Sequence, residues 1–219
     1  AQPMSLRAQP AGVELVNLGV VDRDGWAPRG LTARCEPGAI TVITGDNGTG
    51  KSTTLQAVAG LIRPDEGNVL IGGVPVTAPA IGDIAWLAEP PVVVPGSVFD
   101  NLVLFDGDRS SIDGAARAIG FDTVVGELPD GIDTPVGTGG VGISAGQRQR
   151  LALTRVLASP ARVLLLDEPT AHLDDESEDR VMDALRDRAA GGDTVIVVSH
   201  RPAVLASADR VIEMGAVHV

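Results

Sequence analysis

The sequence predicts an α/β fold built on a mostly parallel sheet, and three observations carry that expectation. Val- and Ile-rich segments recur through the 219 residues, several of them as continuous apolar runs; helical patterns fall between them; and one glycine-rich loop of the form G-x-x-x-x-G-K-[ST] joins a strand to a helix. Continuous apolar runs suit strands buried on both faces, and strands alternating with helices argue for βαβ units.

Taken in chain order, strands are expected at 13–21, 39–44, 68–71, 84–87, 162–167, 194–199 and 210–213, and helices at 51–59, 146–158, 176–189 and, as a short turn, near 203–206. The stretch from about 90 to 143 differs: it carries short helical patterns at 97–104 and 110–119 and ends in GTGGVG, so it reads as a mainly helical insert. Residues 1–10, AQPMSLRAQP, are polar, contain no apolar signal-peptide core and read as a linker cut from a longer chain. Residues 11–219 then form one domain, long enough for a sizeable core.

Composition narrows the function classes. With 29 acidic and 17 basic side chains the formal charge is −12, only 2% of residues are aromatic, and Tyr is absent. The chain lacks the basic field that draws nucleic acid and the rings on which bases stack. No apolar run approaches the roughly 20 residues of a membrane-spanning helix. A single cysteine, Cys35, excludes an internal disulfide or a Cys-based zinc cluster and reads as a small buried hydrophobe in a reducing compartment.

The strongest chemical signal is Gly45-Asp46-Asn47-Gly48-Thr49-Gly50-Lys51-Ser52, placed between a strand and a helix as a phosphate-binding loop requires. Its glycines let successive backbone N–H groups point inward, and the following helix offers its positive end. Gly45, Asn47, Gly48 and Gly50 form the cradle, Lys51 reaches the β and γ phosphates, Ser52 offers a hydroxyl to Mg²⁺, and Thr53 touches the α phosphate.

A second strand ends in Asp167-Glu168. Ligands of open α/β sheets collect at the carboxyl ends of strands, so these acids can meet Lys51. Adjacent strand residues point to opposite sides, which gives the acids separate jobs: Asp167 holds Mg²⁺, and Glu168 is the general base for an attacking water. Alone, such an acid pair is as well explained as a solvated or capping feature. His200 follows another strand and should emerge on the same rim, near the γ phosphate or the water. Ser144-Ala145-Gly146-Gln147 opens a helix as a capping box, with Ser144 at the N-cap and Gln147 at N3. That helix end is either a cap and nothing more or a second phosphate reader, serving a nucleotide held by another subunit.

The ordered set of residues 45–52, Ile143-Ser144-Ala145-Gly146-Gln147, Asp167-Glu168-Pro169-Thr170, Ala171-His172-Leu173-Asp174 and Val198-Ser199-His200 resembles the ATPase domain of ABC transporters over about residues 11–219. The resemblance implies a P-loop NTPase (RecA-like) core, an antiparallel β lobe and a helical insert, with MgATP bound and hydrolysed. It further implies a head-to-tail dimer in which Ser144, Gly146 and Gln147 touch the partner domain's ATP and Asp174 couples the two sites. Residues 94–102 and 133–137 look like exporters, whose membrane helices precede the ATPase. With 170–174 they are similar to the CydD/CydC group, heterodimeric thiol exporters linked to cytochrome bd assembly. The implied partners are transmembrane domains and a second ATPase domain, not nucleic acid, at the cytoplasmic face of the membrane.

Departures from that pattern matter. Glu89 stands where the family has a glutamine that contacts Mg²⁺; its carboxylate can still ligate the ion, but its charge repels the γ phosphate. Val21 and Asp22 lie where an adenine-stacking ring is expected, leaving Trp26 as the substitute. Ala145 replaces a signature glycine, and Thr138 stands where a Glu is usual. These departures give weak adenine binding by the isolated domain and an asymmetric dimer. Two rival readings follow: a hydrolytically weak half that completes its partner's ATP site, and a soluble ABC ATPase without a transport role. A G-x-G-x-x-G match at 137–142 follows no buried strand and is not read as a dinucleotide site. Residues 106–110 lack the Gly and Glu of a calcium loop.

Overall fold

In the computed structural model, which describes residues 11–22, 25–79 and 82–215, five parallel strands form the central sheet. Their order is Arg210–Met214, Ile40–Gly45, Thr194–Val198, Val163–Asp167 and Ile84–Leu87. Side chains alternate between two buried cores. Ile40, Val42, Leu164, Leu166, Val195 and Val197 enter one with the helices; Ile43, Val163, Leu165, Ile196 and Val198 enter the other, against a second sheet. Burial on both faces is why these strands read as unbroken apolar runs. The expected linker, residues 1–10, lies outside the described residues.

The second sheet is antiparallel, in the order Leu31–Cys35, Val13–Gly19, Glu66–Ile71 and Val74–Pro75. Strand Leu31–Cys35 is absent from the sequence reading. Its inward positions Ala33 and Cys35 are small and its outward ones polar, so its period-two signal is faint.

The helical layer holds Val98–Leu102, Arg109–Ala118, Phe121–Glu127 and the long helix Ala145–Ala158. Phe121–Glu127 is also missing from the sequence reading. Thr123, Val124, Val125 and Gly126 are poor helix formers, and burial of Phe121 and Val124 overrides that preference. Asp108, in the calcium-like stretch, is a helix cap: its carboxylate accepts from the Ser111 N–H at 2.7 Å. The two exporter-like stretches come together in space. Gly96–Ser97 pairs with Pro135–Val136, and buried Asn101 bonds both polar groups of Val94 and the Ser97 carbonyl.

One buried ionic cluster ties helix Asp175–Ala190 to the end of helix Ala145–Ala158. Asp193 accepts from Arg188 Nε at 2.6 Å and from Arg162 at 2.9 Å, and Arg188 also donates to the carbonyls of Leu157, Ser159 and Ala161. Removing Arg188 orphans three carbonyls and half of the carboxylate's counter-charge. Arg188→Met should therefore lower unfolding free energy by about 2–4 kcal/mol in urea denaturation; an unchanged midpoint would show that the cluster carries no stability. Cys35 is fully buried, and burial pushes its thiol up to about 11 against smaller opposing pulls from Thr41 and Arg210. At pH 8 the folded chain should react with a thiol reagent at least ~100-fold more slowly than the urea-unfolded chain, because thiolate is scarce and shielded.

Candidate functional site

Strand Ile40–Gly45 and helix Lys51–Val58 are joined by the glycine loop, and the loop's shape depends on backbone angles most residues avoid. Gly50 has φ +92°, and a Cβ there would run into the backbone of Ala27 and Pro28. Gly48, at φ +82°, has open space where its side chain would be, so the backbone lies bare to the cavity. The Lys51 ammonium donates to the carbonyls of Gly45 and Asp46, both at 2.8 Å, and closes the loop on itself. Thr49 and Thr54 hydroxyls cap the Asp46 and Gly50 carbonyls.

A cavity of about 370 Å³ opens over this loop, lined by Asn47, Gly48, Gly50, Lys51, Ser52 and Thr53 and, from distant segments, by Ala27, Glu89, Asp167, Glu168 and Val198. Four parallel strands, Ile40–Gly45, Ile84–Leu87, Val163–Asp167 and Thr194–Val198, end around it, and that topology brings the scattered residues together. Gly45 sits at the loop's base, its Cβ position filled by the Met214 carbonyl.

The two acids do not diverge as the strand alternation suggests. The strand ends at Asp167, and Glu168 turns into the left-handed region at φ +44°, so both carboxylates line the same cavity. A non-glycine residue held there stores strain, a common mark of functional positions. Burial raises the Asp167 carboxyl above the ordinary range; the Ser52 hydroxyl and the Lys51 charge pull it back, and Glu168 pushes it further up. Burial also raises Glu89, with His172 opposing and Asp167 and Glu168 adding to the effect.

Glu168 is fixed at both oxygens. His200 Nδ1 lies 2.8 Å from Oε1, and the Ser199 hydroxyl donates to Oε2 at 3.1 Å. His200 reaches the expected rim, but through Glu168 rather than as part of the cavity wall. Two partners of this acid were missed by the sequence reading. Ser199 gave no signal beyond standing before His200, and buried Gln149 donates to the carbonyls of Glu168 and Pro169. Gln149 lies inward on an amphipathic helix, a polar residue at an apolar position, and that mismatch is the signal that could have exposed it. Arg201 holds the same region from the next loop, donating to the Thr170 carbonyl at 2.9 Å and pairing with buried Glu178 at 2.6 Å.

Ser144, Gly146 and Gln147 do not line this cavity. The capping box is present: the Ser144 hydroxyl accepts from the Gln147 N–H and the Gln147 side chain accepts from the Ser144 N–H. Ser144 and Ala145 are exposed. A Cβ on Gly146 would meet only the His172 carbonyl at an ordinary 3.6 Å, so the fold alone does not require glycine there. Asp174 caps helix Asp175–Ala190 by accepting from the Ser177 N–H. Trp26 is not in the cavity wall; its ring covers Gly19, where a Cβ would stand 2.8 Å from it.

Among the described residues no three His, Cys, Asp or Glu side chains are grouped to hold a metal by themselves. The oxygen-bearing side chains lining the cavity are the hydroxyls of Ser52 and Thr53, the amide of Asn47 and the carboxylates of Glu89, Asp167 and Glu168, the last already engaged by His200 and Ser199. Such a set of hard oxygens fits a Mg²⁺ ion that keeps water and substrate phosphates in its shell.

Comparison with known proteins agrees with this geometry. The family model described as ABC transporter matches residues 29–171. The chain is 40% identical over 189 residues to the mycobactin import ATP-binding/permease protein IrtB of Mycolicibacterium smegmatis, covering 81% of this chain and 32% of that protein. It is 36% identical to an ATP-dependent lipid A-core flippase of Xanthomonas euvesicatoria (82% and 31% covered) and 35% identical to antigen peptide transporter 2 of Mus musculus (84% and 27% covered). It thus spans about a third of the length of these relatives. A solved structure, a bacterial Atm1-family ABC exporter with ATP bound, superposes with a TM-score of 0.86 at 27% identity, covering 94% of this chain and 37% of that one. The chain belongs to the ABC transporter family and is one of its ATPase domains.

Proposed function

We propose that the domain formed by residues 11–219 binds MgATP on the 45–53 loop and hydrolyses it to drive an exporter-type transporter. One observation carries this reading: Glu168, immobilised by His200 and Ser199, shares a cavity with Lys51, Ser52 and Asp167. Backbone N–H groups of Gly48 and Gly50, together with Asn47 and Thr53, receive the phosphates, and Gly45 sets the turn. Lys51 places its charge against the β and γ phosphates. Mg²⁺, held by Ser52, Asp167 and Glu89, supplies positive charge to the phosphate oxygens when bound. Glu168 accepts the proton of the attacking water, while His200 and Ser199 fix its orientation, leaving His200 Nε2 for the γ phosphate. Catalysis of this kind rests on positioning and charge.

Ser144, Gly146 and Gln147 serve the ATP of a second ATPase domain in a head-to-tail dimer, which the exposure of Ser144 and the spare room at Gly146 support. This domain sits at the cytoplasmic face of a membrane, against the transporter's transmembrane domains; no helix among the described residues is long and apolar enough to cross a membrane. The finer reading is a heterodimer of the CydD/CydC kind, exporting thiols. The motifs at 94–102, 133–137 and 170–174 support it, and the first two are joined as one paired unit. The relatives' names span import, lipid flipping and peptide transport, so likeness in the ATPase domain leaves cargo to the membrane part. A second reading, a half that binds ATP but turns it over weakly, is favoured by Glu89 and by Trp26 standing outside the cavity wall.

Replacing the base should separate binding from turnover. Glu168→Gln is expected to cut phosphate release at least ~100-fold while ATP-bound dimers accumulate on size exclusion; turnover near the wild-type rate would remove Glu168 from the base role. Glu89→Gln deletes a negative charge facing the γ phosphate. Nucleotide titration in the absence of Mg²⁺ should show ATP binding tightened by roughly threefold to tenfold, and unchanged affinity would mean that Glu89 does not oppose the nucleotide.

A further inference from the structure

Helix Ala145–Ala158 meets the site at a residue that packing does not explain. Gln149 is fully buried on a helix whose inward residues are mostly apolar, and a Met or Leu there would fill the space without bringing a polar group. Its amide nitrogen donates to two consecutive carbonyls, Glu168 at 3.2 Å and Pro169 at 2.8 Å. Its amide oxygen is buried without a hydrogen-bond partner among the described residues. Chemistry forces that orientation: turned over, the amide would set its oxygen against two carbonyl oxygens. One group with two N–H bonds therefore serves two acceptors, and the fold bears an orphaned oxygen to keep it there.

The two carbonyls belong to the segment where strand alternation breaks. Strand Val163–Asp167 ends, and Glu168 sits at φ +44°, strained for a residue with a side chain. Its N–H donates to the Val198 carbonyl at 2.9 Å, and its carbonyl also accepts from the Ala171 N–H at 3.1 Å. The Val198 bond would hold an extended residue equally well, and in that conformation alternation sends the Glu168 side chain away from the cavity. The left-handed turn adds two carbonyls facing the core, and Gln149 is the side chain that answers both. We infer that Gln149 is a positioning residue for the general base. By pinning the carbonyls of Glu168 and Pro169 it holds the strained turn, and the turn points the carboxylate into the nucleotide cavity, where His200 and Ser199 take hold of it. Gln149 itself lies outside the cavity wall. This inference rests on the reading of Glu168 as the base.

Gln149→Met keeps the volume and removes both N–H groups. In the full chain, with histidine nitrogens isotopically labelled, NMR reports which nitrogen of His200 carries the proton, and His200→Asn assigns the signal. A carboxylate only accepts, so in the wild type the proton sits on Nδ1, facing Glu168, whereas a free neutral imidazole prefers Nε2. Gln149→Met should move His200 to the Nε2–H form, and turnover should fall about tenfold or more while ATP affinity stays within about twofold. Added to Glu168→Gln, it should cost nothing further, because the base it positions is already gone. Gln149→Glu, which puts oxygen in place of the donating nitrogen, should reproduce the change of tautomer, with thermal melting as the check on folding of both variants. His200 keeping the Nδ1–H form in both folded variants, or a full further loss in the double variant, overturns the inference. Failure of both variants to fold would make Gln149 a core residue alone and overturns it too. Equal turnover by the wild type and Glu168→Gln strikes the base reading instead, and the tautomer of His200 would still report whether Gln149 holds the turn, so the two failures are distinguishable.

Discussion

The structure depends on a parallel sheet that is apolar on both faces. Its central strands Ile40–Gly45, Thr194–Val198 and Val163–Asp167 carry buried side chains on both faces, so each face must be covered: one by the helical layer and one by the antiparallel sheet. With both faces closed, polar chemistry is confined to the strand ends. The carboxyl-terminal rim therefore gathers the glycine loop, the two acids and the residues after Val198, although they are far apart in sequence. The site follows from the way the sheet is buried, and it would be lost with the layering before any of its own residues changed.

Much of this is legible in the sequence because the strongest signals are local. The central strands read as apolar runs since both faces are buried, and the phosphate loop is readable because its glycines, lysine and serine fall within eight residues. What escapes is what tertiary contact decides. Leu31–Cys35 has small inward residues, and Phe121–Glu127 is a helix against its own propensity, so neither announces itself. In the site, loop residues and both acids could be named, but their posture could not. A rule for adjacent strand residues sent Asp167 and Glu168 to opposite sides. The strand ends between them, and a left-handed turn brings both to the cavity.

Electrostatics in the cavity are closely matched. Lys51 and the bare N–H groups of the loop are opposed by Asp167, Glu168 and Glu89, and two of these acids are already raised by burial. An acid-rich pocket of this kind favours a ligand that brings its own cation. It explains why a chain of net charge −12 can present an anion-binding loop at all: the loop's attraction comes from short-range dipoles and one ammonium, and the bulk charge is screened over about a Debye length.

Arg201 has a mechanical meaning. Its guanidinium grips the carbonyl of Thr170, two residues past Glu168, and the buried carboxylate of Glu178 on the helix that Asp174 caps, while its own backbone adjoins His200. Two loops and a helix are thereby joined through one side chain. One guanidinium thus links the segments that carry Asp174, Glu168 and His200.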